Sequence, residues 1–162
     1  MTTSTFVAAA DGTPFEDGAD RGRIIVSGAD TGGRYALMAW VVAAGEDDAE
    51  PPDFGPHRHH ACEETFLIRS GRLEFLLGDT VRTLSAGDFV RAPAGVRHGY
   101  ANLSGEPVEM LVGFHPAGLE MLFLKYRTDP PSPADGDGFV ADATRWHASE
   151  FEATGPLPTG AD

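Results

Sequence analysis

Two short segments constrain the fold of this chain most, because together they carry four side chains that can bind a metal ion. The first segment reads GPHRHHACEETFLIRSG (55–71), and the second reads GDFVRAPAGVRHGYAN (87–102). The first two histidines are two residues apart, so on a strand they point to the same face. Three imidazoles and one carboxylate suit a divalent transition metal. The four side chains are those of His57, His59, Glu64 and His98.

Short apolar runs separated by turn residues predict a chain built of strands. The predicted strands are 24–26, 35–42, 65–69, 72–77, 81–84, 89–92, 99–102 and 108–114. Glycine, serine and aspartate fill the gaps between most of them, and this regular spacing indicates a sandwich or barrel. Helical periodicity appears at 118–127, and a second short helix is predicted around 143–151.

The charge balance excludes two classes of partner. Twelve basic residues stand against 25 acidic ones, giving a net charge of −13. Such a chain is not expected to bind nucleic acid or an anionic membrane. No apolar run is long enough to span a bilayer, and the N-terminus does not read as a secretory signal. The single cysteine excludes an internal disulfide and fits a reducing compartment, so we expect a cytoplasmic protein.

The two segments resemble the two signatures of the cupin family in order and spacing. The first signature has a glycine, a His-x-His, a glutamate five residues later and a glycine seven further on. The second is matched by Gly87, Pro93, Gly95, His98 and Asn102. The resemblance implies an all-β fold, a single cupin barrel (a double-stranded β-helix, or jelly roll) with a short C-terminal helix. The composition along the chain predicts an N-terminal arm (1–22), the barrel (23–116), and a C-terminal helix with a flexible tail (117–162).

Segments flanking the signatures are similar to bacterial single-domain cupins of the quercetin-dioxygenase-like group. This resemblance implies that the two histidines of the first segment, together with Glu64 and His98, bind one metal ion, which can be Fe, Mn, Ni, Co, Cu or Zn. It also implies that Glu64 is catalytic, taking a proton from a bound hydroxyl. The expected partners are a small-molecule substrate and a second copy of the chain, in a homodimer.

Strand alternation predicts the apolar wall of a substrate pocket. If Glu64 points into the barrel, Phe66 and Ile68 do so as well. The strand at 35–42 is apolar on both faces, so either of two sets can face inward. One set is Tyr35, Leu37 and Ala39, and the other is Ala36, Met38 and Trp40. The resulting pocket candidates are Phe66, Ile68, Tyr35, Leu37, Met110, Val112 and Phe114.

Three neighbours of the predicted ligands have alternative roles. Glu63 is a rival ligand if the strand register slips by one residue, although it breaks the signature spacing. Alternation turns His60 away from His57 and His59, which indicates a surface or supporting role. Cys62 can coordinate a metal as a thiolate, but a buried inert thiol is the preferred interpretation.

Three functional hypotheses follow from this site. The first is a metal-dependent oxygenase of the quercetin-dioxygenase-like type. The second is a metal-dependent cyclase, isomerase or lyase, such as the cupins of aromatic polyketide pathways, in which the metal polarises a carbonyl. The third is a non-enzymatic small-molecule-binding cupin. A redox-active metal with oxygen consumption favours the first, zinc without oxygen consumption favours the second, and ligand binding without metal favours the third.

Overall fold

The computed structural model describes residues 6–8, 11–45, 55–126, 138, 140–145 and 148–151. The strands are β1 (Thr13–Asp17), β2 (Asp20–Val26), β3 (Ala36–Val42), β4 (His57–His59), β5 (Glu63–Ser70), β6 (Arg72–Leu77), β7 (Thr80–Ser85), β8 (Phe89–Ala92), β9 (His98–Ala101), β10 (Val108–His115) and β11 (Ser149–Phe151). The helices are α1 (Gly28–Thr31) and α2 (Glu120–Tyr126), and residues 140–145 are also helical.

These strands form two antiparallel sheets around one core. One sheet has six strands in the order β1-β2-β3-β10-β5-β8, and the other has five in the order β11-β4-β9-β6-β7. Both sheets contribute to the main buried cluster, for example Phe66 from β5 and Phe75 from β6, whose ring centroids are 4.8 Å apart. The all-β barrel predicted from the sequence is therefore confirmed.

The inward face of β3 corrects one of the pocket predictions. Ala36, Met38 and Trp40 are buried, whereas the two predicted residues on this strand lie elsewhere. Tyr35 precedes the strand, is 40% exposed and stacks on His115. Leu37 belongs to the alternate, outer face of β3. The prediction was wrong for these two residues because a strand that is apolar on both faces gives no alternation signal.

A β-hairpin begins within the N-terminal arm predicted over residues 1–22, and sequence analysis predicted only its last part, the strand at 24–26. β1 and β2 pair antiparallel with Asp17 opposite Asp20, which leaves a two-residue turn. Gly18 adopts a positive φ of 62° in that turn, a conformation that glycine tolerates. β2 then pairs with β3, so the hairpin extends the six-stranded sheet. β1 was not predicted because its sequence is mostly polar and only one of its residues, Phe15, is buried.

The C-terminal segment also differs from its prediction. Of the helix predicted around 143–151, residues 143–145 are helical, whereas Ser149–Phe151 forms the strand β11. β11 pairs antiparallel with β4, the strand that carries two of the predicted metal ligands. A three-residue strand is specified by its partner rather than by its own propensity, so the local sequence did not reveal it.

The helix predicted at 118–127 is confirmed as α2 and is anchored by a buried carboxylate. Glu120 is fully buried, and its two oxygens accept hydrogen bonds from the backbone N–H groups of Gly28 (2.8 Å) and Gly118 (2.6 Å). These contacts join the start of α1 to the start of α2. Among the described helices, none is long and apolar enough to cross a membrane. The division of the chain at residues 22 and 116 stays a prediction.

Candidate metal centre

Both sheets contribute side chains to one cluster inside the barrel. His57 and His59 lie on β4, and His98 begins the neighbouring strand β9, where it pairs directly with His57. Glu64 comes from β5 in the other sheet and faces them across the interior. One potential ligand atom from each of the four residues lies within 4.8 Å of all the others. We call these four residues the ligand cluster.

A tight turn before β9 places His98. The N–H of Val96 donates to the carbonyl of Pro93 at 3.0 Å, and Gly95 has a positive φ of 80° within this turn. The N–H of Gly95 also donates to the carbonyl of His59 at 2.8 Å, which ties the turn to β4. Pro93 and Gly95, two residues of the second signature, thus form a turn that uses the backbone freedom of glycine.

Each histidine of the ligand cluster has a hydrogen-bond partner on its Nδ1 atom. Nδ1 of His57 lies 2.7 Å from the carbonyl oxygen of Gly55, and Nδ1 of His98 lies 2.8 Å from that of Val96. Nδ1 of His59 lies 2.7 Å from Oγ of Ser149. A carbonyl oxygen only accepts, so His57 and His98 carry a proton on Nδ1. Their Nε2 atoms are then available as ligands, the pattern seen around histidines that bind metals.

The Nε2 side of the rings converges on the glutamate. Nε2 of His59 lies 3.2 Å from Oε2 of Glu64, and Nε2 of His98 lies 3.0 Å from the same oxygen. When these rings are neutral with their protons on Nδ1, only lone pairs face one another, and a cation between them relieves that repulsion. His59, Glu64 and His98 are all buried. The donor set therefore fits a metal ion on the chemistry of its atoms.

In the metal-free cluster, burial and neighbouring charges shift the pKa values of His57, Glu64 and His98. Burial is the main reason that the pKa of His57 falls to about 4, and the nearby His98 lowers it further. Burial alone would raise the pKa of Glu64, but hydrogen bonds from His59 and His98 hold it below its usual range. For His98, burial acts to lower the pKa, yet the bond to Glu64 raises it above normal. Without a metal, a proton shared near Glu64 thus substitutes for the cation.

We expect His57 to make the metal-free protein sensitive to acid. Its pKa in the folded state lies below the ordinary value of 6.5, so the unfolded chain binds a proton that the folded chain rejects. The stabilisation is complete above about pH 6.5 and is lost as the pH falls towards 4. Urea unfolding in the presence of a chelator at neutral and mildly acidic pH measures this loss. A His57→Asn variant should lose less stability over that range, and an equal loss would contradict the assignment.

A cavity of about 340 Å³ adjoins the ligand cluster. Of the predicted pocket residues, Phe66 and Val112 line it, whereas Ile68, Met110 and Phe114 are buried in the core without lining it. Sequence analysis missed several residues of the wall. The cavity is completed by Asp17, Asp20, Trp40, Gly55, Tyr100, Leu119, Phe123 and Phe151.

The three neighbours with alternative roles lie outside the ligand cluster. Glu63 forms an ion pair with Arg91 at the surface and is not among the clustered donors. His60 is exposed, and its Nε2 lies 3.4 Å from Oε2 of Glu150. Cys62 is buried, and burial is the main cause that raises the pKa of its thiol to about 12, with Glu64 adding to the effect. At neutral pH this thiol is protonated and unsuited to metal binding.

Comparisons with known proteins agree with the fold. Residues 40–114 match the cupin domain family. An uncharacterised protein of Streptomyces coelicolor is 33% identical over 84 residues, which are 52% of this chain and 68% of that protein. The structure of KdgF from Halomonas sp. has a TM-score of 0.60 at 19% identity and covers 72% of this chain and 99% of its own. The polyketide cyclase RemF from Streptomyces resistomycificus has a TM-score of 0.55 at 20% identity, with coverages of 70% and 80%.

At identities near 20% the solved structures establish a shared fold rather than a shared reaction. The sequence match, the two facing sheets and the His/Glu cluster in the barrel lead to the same assignment: the chain belongs to the cupin superfamily.

Proposed function

We propose that this cupin is a metal-dependent enzyme that acts on a small, oxygen-bearing organic molecule. One observation carries the proposal: the donor atoms of His57, His59, Glu64 and His98 converge, and the first three of these residues line a cavity. Convergent polar groups in a largely apolar cavity are the usual composition of a small-molecule site. A structural metal site would have no need of the adjoining space.

The cavity wall favours a flat, partly apolar substrate. The aromatic rings of the wall come from both sheets, including β11, and from helix α2. They belong to Trp40, Phe66, Tyr100, Phe123 and Phe151. Trp40 packs edge-on against Phe123 with ring centroids 5.0 Å apart, so α2 closes one side of the space. A volume of about 340 Å³ is at the small end for ligand pockets. Aromatic walls stack on a planar substrate and keep water from the reacting atoms.

The histidines and the glutamate of the ligand cluster have different roles in the proposed reaction. When bound, a transition metal supplies Lewis acidity and, if it is redox-active, chemistry with dioxygen. The three histidines hold their Nε2 atoms in place through their Nδ1 contacts. Glu64 is ionised at neutral pH because its pKa is held low, which suits a ligand. It also borders the cavity, so its carboxylate would be placed to take a proton from a substrate hydroxyl.

Oxygenation is the first reaction class that we propose. It rests on the similarity of the two signatures and their flanking segments to quercetin-dioxygenase-like cupins, together with an aromatic cavity that suits a flavonol-like molecule. The alternative is a cyclase, isomerase or lyase that uses no oxygen. Such a reaction needs side chains to move protons, and Asp17 and Tyr100 line the same cavity as Glu64. The polyketide cyclase RemF shares the fold, so the barrel can accommodate this chemistry.

Metal content and oxygen consumption test the proposal together. The protein is purified without a chelator, its metal is quantified, and it is offered flavonols and β-diketones in an oxygen electrode. We expect about one metal ion per chain, with oxygen uptake if the metal is Fe, Mn, Ni, Co or Cu. Zinc with substrate conversion that needs no oxygen supports the alternative. Failure to bind any metal after reconstitution contradicts both enzyme proposals and leaves a binding protein.

The assembly and compartment proposed from the sequence stay predictions. A homodimer and a cytoplasmic location are both compatible with this acidic sequence. The net charge of −13 remains the argument against binding to nucleic acid or to anionic membranes. Light scattering of the purified protein distinguishes a dimer from a monomer.

A further inference from the structure

We infer that the C-terminal strand β11 is part of the metal centre, with Ser149 as the residue that positions His59 and Phe151 as the cover of His57. This inference rests on the proposed metal-dependent function. It assigns a role to a segment far along the chain from both signature motifs, in a region where sequence analysis predicted a helix and a flexible tail.

The register between β11 and β4 places two side chains beside the ligands. Ser149 pairs with His59, and Phe151 pairs with His57. Directly paired residues project to the same side of an antiparallel ladder, and alternate residues share a face. The residue between them, Glu150, therefore points to the opposite side, as does its partner Arg58. β11 thus presents its hydroxyl and its aromatic ring to the cluster and its charge to the outside.

Ser149 contacts the one ligand histidine whose Nδ1 is not held by a backbone carbonyl. Its Oγ lies 2.7 Å from Nδ1 of His59, and Ser149 is 1% exposed. For Nε2 of His59 to bind a metal, Nδ1 must carry the ring proton and donate it to this oxygen. A hydroxyl accepts such a bond and fixes both the tautomer and the ring angle. For His57 and His98, the backbone carbonyls of Gly55 and Val96 accept the corresponding hydrogen bond.

Contacts outside the cavity hold β11 in this register. The backbone N–H of His60 donates to the carbonyl of Ala148 at 3.1 Å, next to the start of the strand. Nε of Arg58 and Nε2 of His60 lie 3.3 Å and 3.4 Å from Oε2 of Glu150. Such exposed pairs contribute little energy individually, but they select one register for a short strand. Both partners of Glu150 come from β4 or the residue after it, so the pairing is specific to this strand.

Phe151 extends the contact to a second ligand. Its ring stacks on that of His57, with centroids 5.7 Å apart and planes 22° from parallel, and it also lines the cavity. An aromatic ring in this position limits the rotation of the imidazole and shields it from water. β11 therefore orients one ligand by a hydrogen bond and confines another by stacking.

Cobalt binding to Ser149→Ala tests the inference. Co²⁺ alone is titrated against a competing chelator, and its visible absorption reports the geometry of the ligands. We expect Ser149→Ala to bind Co²⁺ about 10- to 100-fold more weakly than the wild type, with an altered spectrum, because the orienting partner of a ligand is lost. Ser149→Thr, which keeps the hydroxyl, should restore most of the affinity. Ser70→Ala, at an exposed position on β5, is the matched control and should bind as the wild type does.

These measurements distinguish a failure of the proposed role of β11 from a failure of the proposed metal-dependent function. Alanine at position 149 removes one oxygen and adds no atom, so the variant is expected to fold, which circular dichroism and melting of the metal-free protein verify. An unchanged cobalt affinity and spectrum in Ser149→Ala would overturn the role of β11 while leaving the metal site intact. That role would also be overturned if Ser149→Ala lowered only the melting temperature of the metal-free protein. A wild-type protein that binds no cobalt would instead overturn the proposed function itself.

Discussion

Replacement of His98 by alanine should abolish stoichiometric metal binding. His98 is 1% exposed and approaches Glu64 from the strand that pairs with β4, so no neighbouring side chain of the cluster can take its position. Loss of a supporting contact around a metal already costs 10- to 100-fold in affinity, and loss of a ligand should cost more than about 100-fold. Titration with Co²⁺ or Zn²⁺ against a chelator measures the change. Any metal-dependent turnover should disappear with it.

The adjacent histidine provides the control for this experiment. His60 is exposed and faces Glu150 rather than the cavity, so His60→Ala should retain about one metal ion per chain. A His98→Ala protein that still binds metal with wild-type affinity would contradict the proposed ligand set. The metal-free His98→Ala protein must also be shown to fold, because removal of His98 leaves the buried carboxylate of Glu64 with one partner fewer.

Replacement of Phe66 by alanine should destabilise the metal-free protein by about 3–5 kcal/mol. Phe66 is 2% exposed and lies where the two sheets meet. Its ring centroid is 4.8 Å from that of Phe75, 6.1 Å from Tyr100 and 6.0 Å from His98. Removal of the ring leaves a void between the sheets that these strands cannot fill without moving. Urea unfolding with and without the substitution gives the difference in the free energy of unfolding.

An exposed phenylalanine offers the comparison for this substitution. Phe89 on β8 is 62% exposed, so Phe89→Ala should change the free energy of unfolding by no more than about 0.5 kcal/mol. If Phe66→Ala cost as little as Phe89→Ala, the packing between the sheets would not be as the structure has it. A metal-bound Phe66→Ala protein should also show weaker substrate binding, because Phe66 lines the cavity.

Much of the barrel was predictable because its strands are short and their turns are marked by glycine, serine and aspartate. The predicted bounds of β6 and β8 are confirmed without change, and those of β5, β7, β9 and β10 differ by one or two residues. The ligand cluster was predictable for a different reason. Its residues occupy fixed spacings around two turns, and that spacing is visible in a single sequence even though the residues come from both sheets.

The parts that were missed depend on contacts between distant segments. β1 is polar, and β11 has only three residues, so neither carries a local signal, and each is specified by the strand beside it. On β3 both faces are apolar, which left Trp40 and Leu37 indistinguishable until the strand was placed. Ser149 lies 90 residues from His59, and no spacing rule connects a lone serine to a histidine at that distance.

The same limit applies to the cavity. Leu119 and Phe123 lie in the segment 118–127, for which the sequence predicts only a helix, and the structure places both in the cavity wall. Asp17 and Asp20 flank a hairpin turn, so their sequence neighbourhood indicates only a turn. Asp20 accepts hydrogen bonds from Nε1 of Trp40 (3.3 Å) and the N–H of Ala43 (2.8 Å), which fixes the indole in the wall.

Anomalous diffraction from crystals grown with Co²⁺ would show directly whether the ligand cluster binds a metal ion. We expect one anomalous peak per chain, inside the barrel, within about 2.0–2.2 Å of Nε2 of His57, His59 and His98 and of a carboxylate oxygen of Glu64. The imidazole of His59 should keep its Nδ1 contact with Ser149. A peak elsewhere, or none, with the carboxylate of Glu64 still bonded directly to His59 and His98, would contradict the assignment of these four residues as a metal centre.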